Sequence, residues 1–114
     1  MHELSIAKEL SDIIMEVALK ENLSKVIKVN ICFGELVQIV PDIFETAFSV
    51  IVEDTIIREA ELEIEILPVK LRCRNCNNEC QVKDKYFFLC DNCNSFDIDI
   101  IEGKEIYLRS IEGE

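Results

Sequence analysis

The sequence predicts an α+β protein in which two helices pack on a small mixed β-sheet and a cysteine-rich subdomain is inserted between two of the strands. Three observations carry this. Apolar residues recur at three- and four-residue steps in two separate segments, other segments alternate apolar and polar residues, and four of the six cysteines form two Cys-x-x-Cys pairs within residues 70–100. A chain of 114 residues suits one main core with a small satellite, because domains cluster at roughly 100–150 residues. With 49% apolar and 31% charged residues, the composition is that of a folded globular protein.

The first element is a helix over residues 4–20. Leu4, Ala7, Leu10, Ile14 and Val17 form its apolar stripe, flanked by Ile6, Ile13 and Ala18, and Asn22 is a left-handed stop. From Lys25 the period changes to two, so that Ile27, Val29, Ile31 and Phe33 share one strand face while Lys28, Asn30 and Cys32 share the other. Gly34-Glu35 interrupts this strand, and 36–40 reads as a second short extended segment. Pro41, with Asp42 and Glu45 after it, marks a helix start: proline lacks the N–H that a first helical turn leaves unpaired, and acids favour the positive end of the helix dipole. Phe44, Ala47, Phe48, Ile51 and Val52 are its buried stripe.

Ala60, Leu62, Ile64 and Ile66 then alternate with Glu61, Glu63 and Glu65, which is a strand with one face on the core and one in water, ended by Pro68. Residues 104–111 form the last strand. The expected division is an α+β domain of 1–68 plus 104–114 and a subdomain of 69–103, hinged at Leu67-Pro68 and at Gly103.

No apolar run approaches the roughly 18 residues of a membrane span, and MHELSIAKEL has no basic segment ahead of an apolar one, so neither a span nor a signal peptide is expected. The expected location is the cytoplasm. A net charge of −11 disfavours nucleic acid, whose phosphates need Lys and Arg, and favours cations or basic protein surfaces as partners.

In CRNCNNECQVKDKYFFLCDNC, Cys73, Cys76, Cys90 and Cys93 form two knuckles separated by thirteen residues. Four thiolates on two tight turns make a closed tetrahedral shell, the donor set of structural Zn(II) in a zinc-ribbon-like unit; iron in a rubredoxin-like site is the alternative. Asn77 and Asn94 follow the knuckles where a left-handed backbone is often needed, and asparagine tolerates it. A unit this small needs the metal to fold, so chelation should unfold it and spare the rest. Cys80 reads as a spare thiol, and Cys32 as a small apolar group.

The only histidine is His2. A side chain of that size at position 2 should block removal of the initiator methionine, leaving the free amine on Met1. A metal bound by that amine and by the deprotonated His2 amide closes a five-membered ring, and His2 Nδ1 closes a six-membered one. Three nitrogens in one plane favour Ni(II) or Cu(II) over zinc and make affinity pH-dependent. Glu3 can offer a carboxylate or amide nitrogen as a fourth ligand, or steady the imidazole.

Met-His-Glu leading into an amphipathic helix, Gly34-Glu35-Leu36, Pro41 and Phe44 at a helix start, a Glu-rich strand ending at Pro68, and two Cys-x-x-Cys pairs before a last strand make the whole chain resemble the HypA/HybF family of hydrogenase-maturation nickel metallochaperones. The resemblance implies transferable Ni(II) at the amino terminus and structural Zn(II). It also implies delivery to the [NiFe]-hydrogenase large-subunit precursor together with the maturation GTPase HypB, and, for some members, work with urease accessory proteins. Met1 and His2 match the nickel site, with Glu3 a further candidate; Cys73, Cys76, Cys90 and Cys93 match the zinc site. The chain departs from the family in carrying Asn77 and Asn94 where glycine is common, in lacking proline between Cys90 and Cys93, and in having no histidine near the cysteines.

Two other readings compete. Lys70, Arg72, Arg74, Lys83 and Lys85, with Tyr86, Phe87 and Phe88, suit a zinc-ribbon module for nucleic acid or protein. An enzyme is disfavoured, because no nucleophile and base pair is evident and a four-thiolate shell leaves zinc no open position.

Overall fold

The computed structural model describes residues 3–82 and 88–114. They form an α+β protein with two helices and small mixed sheets: α1 (Glu3–Lys20), β1 (Val26–Gly34), a 3-10 turn (Glu35–Val37), α2 (Pro41–Ile51), β2 (Glu61–Leu67), β3 (Lys70–Cys73), β4 (Glu79–Gln81), β5 (Ile98–Glu102) and β6 (Ile106–Gly113). Two compact units result. The first runs through Cys32 and adds Ile39–Glu65 and Tyr107–Glu114; the second comprises Phe33–Gln38 and Ile66–Ile106.

In the first unit α1 packs on α2. The buried stripe of α1 is Ile6, Ala7, Leu10, Ser11, Ile14 and Ala18, and that of α2 is Phe44 and Phe48, followed by Val52. The rings of Phe44 and Phe48 stack with centroids 5.8 Å apart. Each buried Ile, Leu, Val or Phe of these stripes contributes roughly 1.5–3 kcal/mol by leaving water, several times what an exposed ion pair such as Lys8–Asp12 adds. The burial therefore sets which helix faces meet. Leu4 departs from the expected stripe: it is 61% exposed and lies beside Ile43 and Val50, at the mouth of a groove between the helices. Ile27 is likewise exposed, and Val26, whose N–H bonds to Ile56 O at 3.0 Å, enters the core instead.

Strand order in the first sheet is β2-β1-β6. Lys25–Glu59, Lys28–Glu63 and Cys32–Glu65 contacts climb together along the chain, so β1 and β2 run parallel with α2 as their crossover. Lys25 and Glu114 exchange backbone hydrogen bonds while Gly34 N–H reaches Glu105 O, so β6 runs antiparallel to β1. In the central strand β1, Cys32 is buried as well as Val29, Ile31 and Phe33.

The expected extended segment at 36–40 is instead a 3-10 turn. Gln38 N–H closes it on Glu35 O at 3.2 Å, Gln38 turns left-handed at φ 58°, and Leu36 N–H bonds to Gly103 O at 2.8 Å. The turn buries Val37, which continued pleating would not require, and the chain then enters α2 with Pro41 in its first turn.

The second unit has its own sheet, ordered β4-β3-β5 and antiparallel throughout. Leu71 and Cys73 face its interior with Val69, while Lys70 and Arg72 face outward. Gly34 and Gly103 meet within this unit: a Cβ on Gly34 would fall on the Gly103 carbonyl, and Gly103 itself has φ 98°. Both positions need glycine, one for close approach and one for its backbone region. No helix among the described residues is long and apolar enough to cross a membrane.

Candidate metal centre

Two short segments of like geometry build the site. Cys73 ends β3; its N–H bonds to Asn78 O and its C=O accepts Asn77 N–H, each at 2.9 Å. Cys90 repeats this with Ser95 O and Asn94 N–H, also at 2.9 Å. The turns close through left-handed residues, Asn77 at φ 59° and Asn94 at φ 60°. Asparagine is among the few side chains that take this conformation readily.

These turns bring Cys73, Cys76, Cys90 and Cys93 together, with all four sulfurs within 4.8 Å of one another. Cys73 Sγ lies 3.5 Å from Cys93 Sγ, and Cys76 Sγ 3.6 Å from Cys90 Sγ. A zinc–sulfur bond of about 2.3 Å gives a tetrahedron with edges of about 3.8 Å, so the cluster has the size and donor chemistry for Zn(II). Cys73 and Cys90 are buried and Cys93 is exposed. Cys80 lies on β4, paired across the sheet with Leu71, and is not part of the cluster.

The electrostatics call for a cation. The backbone N–H of Cys93, opposed by burial and aided by the N–H of Asn92, brings the Cys90 thiol down to about 6. Cys93 is lowered first by the Ser95 backbone N–H and then by the Asn75 amide. At Cys73 the Cys76 N–H also acts downward, but burial and the neighbouring sulfurs carry the thiol up to about 11. A bound cation offsets the charge of neighbouring thiolates, which is how metal binding couples to proton release.

Charged side chains fasten this unit. Arg74, within the first knuckle, pairs with Asp97 at 3.0 Å and with Asp99, and its backbone N–H bonds to Asp97 O at 2.9 Å. Lys70 and Arg72 both approach Glu79, at 3.9 and 3.6 Å. Of the basic and aromatic residues of the competing zinc-ribbon reading, Lys70, Arg72 and Arg74 thus have acidic neighbours, and Lys83, Lys85, Tyr86 and Phe87 lie outside the described residues.

Of the expected nickel ligands, Met1 and His2 lie outside the described residues, while Glu3 is half-buried in the first turn of α1. Sequence reasoning missed a further constellation on the first sheet. Cys32 Sγ lies 3.5 Å from Glu65 Oε2 and 3.7 Å from Arg109 Nη1, and Arg109 pairs with Glu65. The three belong to neighbouring strands, a relation with no spacing signal along the chain.

Comparison with known proteins matches the same architecture. Residues 1–113 match the family model described as "HypA: Hydrogenase/urease nickel incorporation, metallochaperone, hypA". The hydrogenase maturation factor HypA of Moorella thermoacetica is 37% identical over 114 residues, covering 100% of both chains. That of Aquifex aeolicus is 36% identical over 114 residues, covering 100% of this chain and 98% of its own. The solution structure of the Ni metallochaperone HypA from Helicobacter pylori superposes with a TM-score of 0.76 at 28% identity, covering 99% of this chain and 97% of that one. This chain belongs to the HypA family of hydrogenase and urease nickel-incorporation metallochaperones.

Proposed function

We propose that this chain binds Ni(II) through its free amino terminus and delivers it to the precursor of the [NiFe]-hydrogenase large subunit. In this reading Met1 supplies its amine, His2 its amide nitrogen and Nδ1, and Glu3 the fourth position or a contact that orients the imidazole. Zn(II) sits in the Cys73, Cys76, Cys90 and Cys93 shell as a structural metal, and the segment 69–103 folds around it as a unit distinct from 1–68 plus 104–114. The maturation GTPase HypB is the working partner, and urease accessory proteins are the partners if the client is urease. The chain performs no catalysis of its own.

The observation that carries this reading is the whole-chain match to a family whose described role is nickel incorporation. The position of Met1 and His2 in the sequence directly before α1, which begins at Glu3, supports it, since a rigid helix gives a terminal chelate a fixed mount. A site at the chain end with an open or weak fourth position lets the thiolates of a recipient compete for the ion.

The test is calorimetric titration of Ni(II) into the untagged protein, into His2→Ala, and into a variant with two residues added before Met1. Both changes should lower affinity by at least about tenfold, as loss of a ligand-ordering group does. Unchanged affinity in either variant refutes the proposed site.

A further inference from the structure

The two knuckles are not independent. The residue before the second cysteine of each pair is an asparagine, and its side chain crosses to the other pair. Asn75 Nδ2 lies 3.6 Å from Cys93 Sγ, and Asn92 Nδ2 lies 3.6 Å from Cys76 Sγ. The backbone N–H groups of the same two residues serve their own knuckles, reaching Cys73 Sγ at 3.3 Å and Cys90 Sγ at 3.4 Å. Each asparagine therefore donates twice, once within its turn and once across the cluster.

Charge sets the direction of the cross-contacts. A thiolate only accepts hydrogen bonds, and the amide oxygen would repel it, so the NH2 end must face the sulfur. Four thiolates around a divalent ion also leave two surplus negative charges, which N–H donors stabilise. The buried Cys73 and Cys90 are shielded by the fold, whereas Cys76 and Cys93 are exposed, and these two receive the cross-knuckle amides. Asn78 Nδ2, by contrast, is 3.9 Å from Cys90 Sγ and bonds to Asp91 Oδ1 at 2.8 Å, so its main partner is a carboxylate.

We propose that Asn75 and Asn92 are reciprocal positioning residues, each holding the solvent-facing thiolate of the opposite knuckle in the zinc shell and closing it to competing ligands and electrophiles. The proposal rests on the zinc reading of this cluster. Both residues are exposed, so substituting them leaves the core intact.

The test uses the full chain in its zinc-loaded form, treated with N-ethylmaleimide, with the rate of modification at each of the four cluster cysteines followed by peptide mass spectrometry and the free Cys80 as the internal reference. Asn75→Ala should speed modification of Cys93 by roughly tenfold while leaving Cys76 unchanged, and Asn92→Ala should do the reverse. Asn75→Asp and Asn92→Asp, which keep the shape but replace the donor by a negative acceptor, should give larger effects at the same two sulfurs. A uniform rise at all four cysteines, or no rise, overturns the proposal, because simple loosening of the fold would not select the opposite knuckle. Zinc content measured beforehand separates the two claims: a wild-type chain without zinc overturns the metal reading, whereas zinc-loaded variants with unchanged reactivity overturn the asparagine assignment alone.

Discussion

Cys32 shows how one residue's neighbours decide its chemistry. Burial acts first to raise its thiol above the ordinary 9.0, and the hydrogen bond to Glu65 adds to this, with Arg109 only partly opposing. The side chain is 3% exposed, so it stays a neutral S–H that donates to the carboxylate. The sign for stability follows: folding favours the protonated thiol, so its contribution is complete below about pH 9 and is lost as pH rises through the higher folded value. Alkylation of the zinc-loaded protein should accordingly be much slower at Cys32 than at Cys80 at pH 8, with a Cys32 midpoint above 9.0. A midpoint at or below 9.0 contradicts this account. That Cys32 is structural could be read from its place on a strand; that it meets Glu65 and Arg109 could not, because the three are brought together only by strand pairing. The same division holds for backbone. The left-handed Asn22, Asn77 and Asn94 are legible because asparagine favours that region, whereas Gln38 has no such preference and its φ of 58° follows from the turn it ends.

At the scale of elements, the strong periodicities were legible and the short ones were not. Both helices, β1, β2 and β6 follow from repeated apolar spacing, and Pro41 marks the start of α2. Strands β3 and β4 span only Lys70–Cys73 and Glu79–Gln81, too few residues for a pattern to stand out, and their pairing depends on the cysteine turns beside them. Gly34 looked like a simple strand interruption, but its real constraint is the backbone of Gly103. Gly34→Ala should destabilise the protein by about 1–3 kcal/mol, the usual effect of overpacking, and urea denaturation should show a lower midpoint. An unchanged midpoint would mean that the backbone at Gly103 and Lys104 yields to the added methyl at no cost. The second prediction at this scale concerns metal removal. A chelator strong enough to strip zinc should abolish the amide signals of β3, β4 and β5 in a nuclear magnetic resonance spectrum while those of α1 and α2 persist. Signals of β3 to β5 that survive zinc loss would show that the cysteine unit folds without metal.

For the molecule as a whole, a net charge of −11 and the pairing of Lys70, Arg72 and Arg74 with acidic residues are the setting of the proposed function, in which the ligands are cations and protein partners. In the function proposed above, the cysteine cluster and the amino terminus divide the work by chemistry: four soft thiolates would enclose a metal that stays, and a terminal nitrogen chelate with an exchangeable position would hold a metal that leaves. The measurement that tests this most directly is transfer. The chain is loaded with one equivalent of Ni(II), mixed with purified [NiFe]-hydrogenase large-subunit precursor in the presence of a competing chelator, and the nickel on each protein is counted after separation. The account predicts that nickel moves to the precursor while zinc remains with the chain, and that His2→Ala abolishes the movement. Nickel that stays on the chain, or that transfers equally well from the His2→Ala protein, would contradict it.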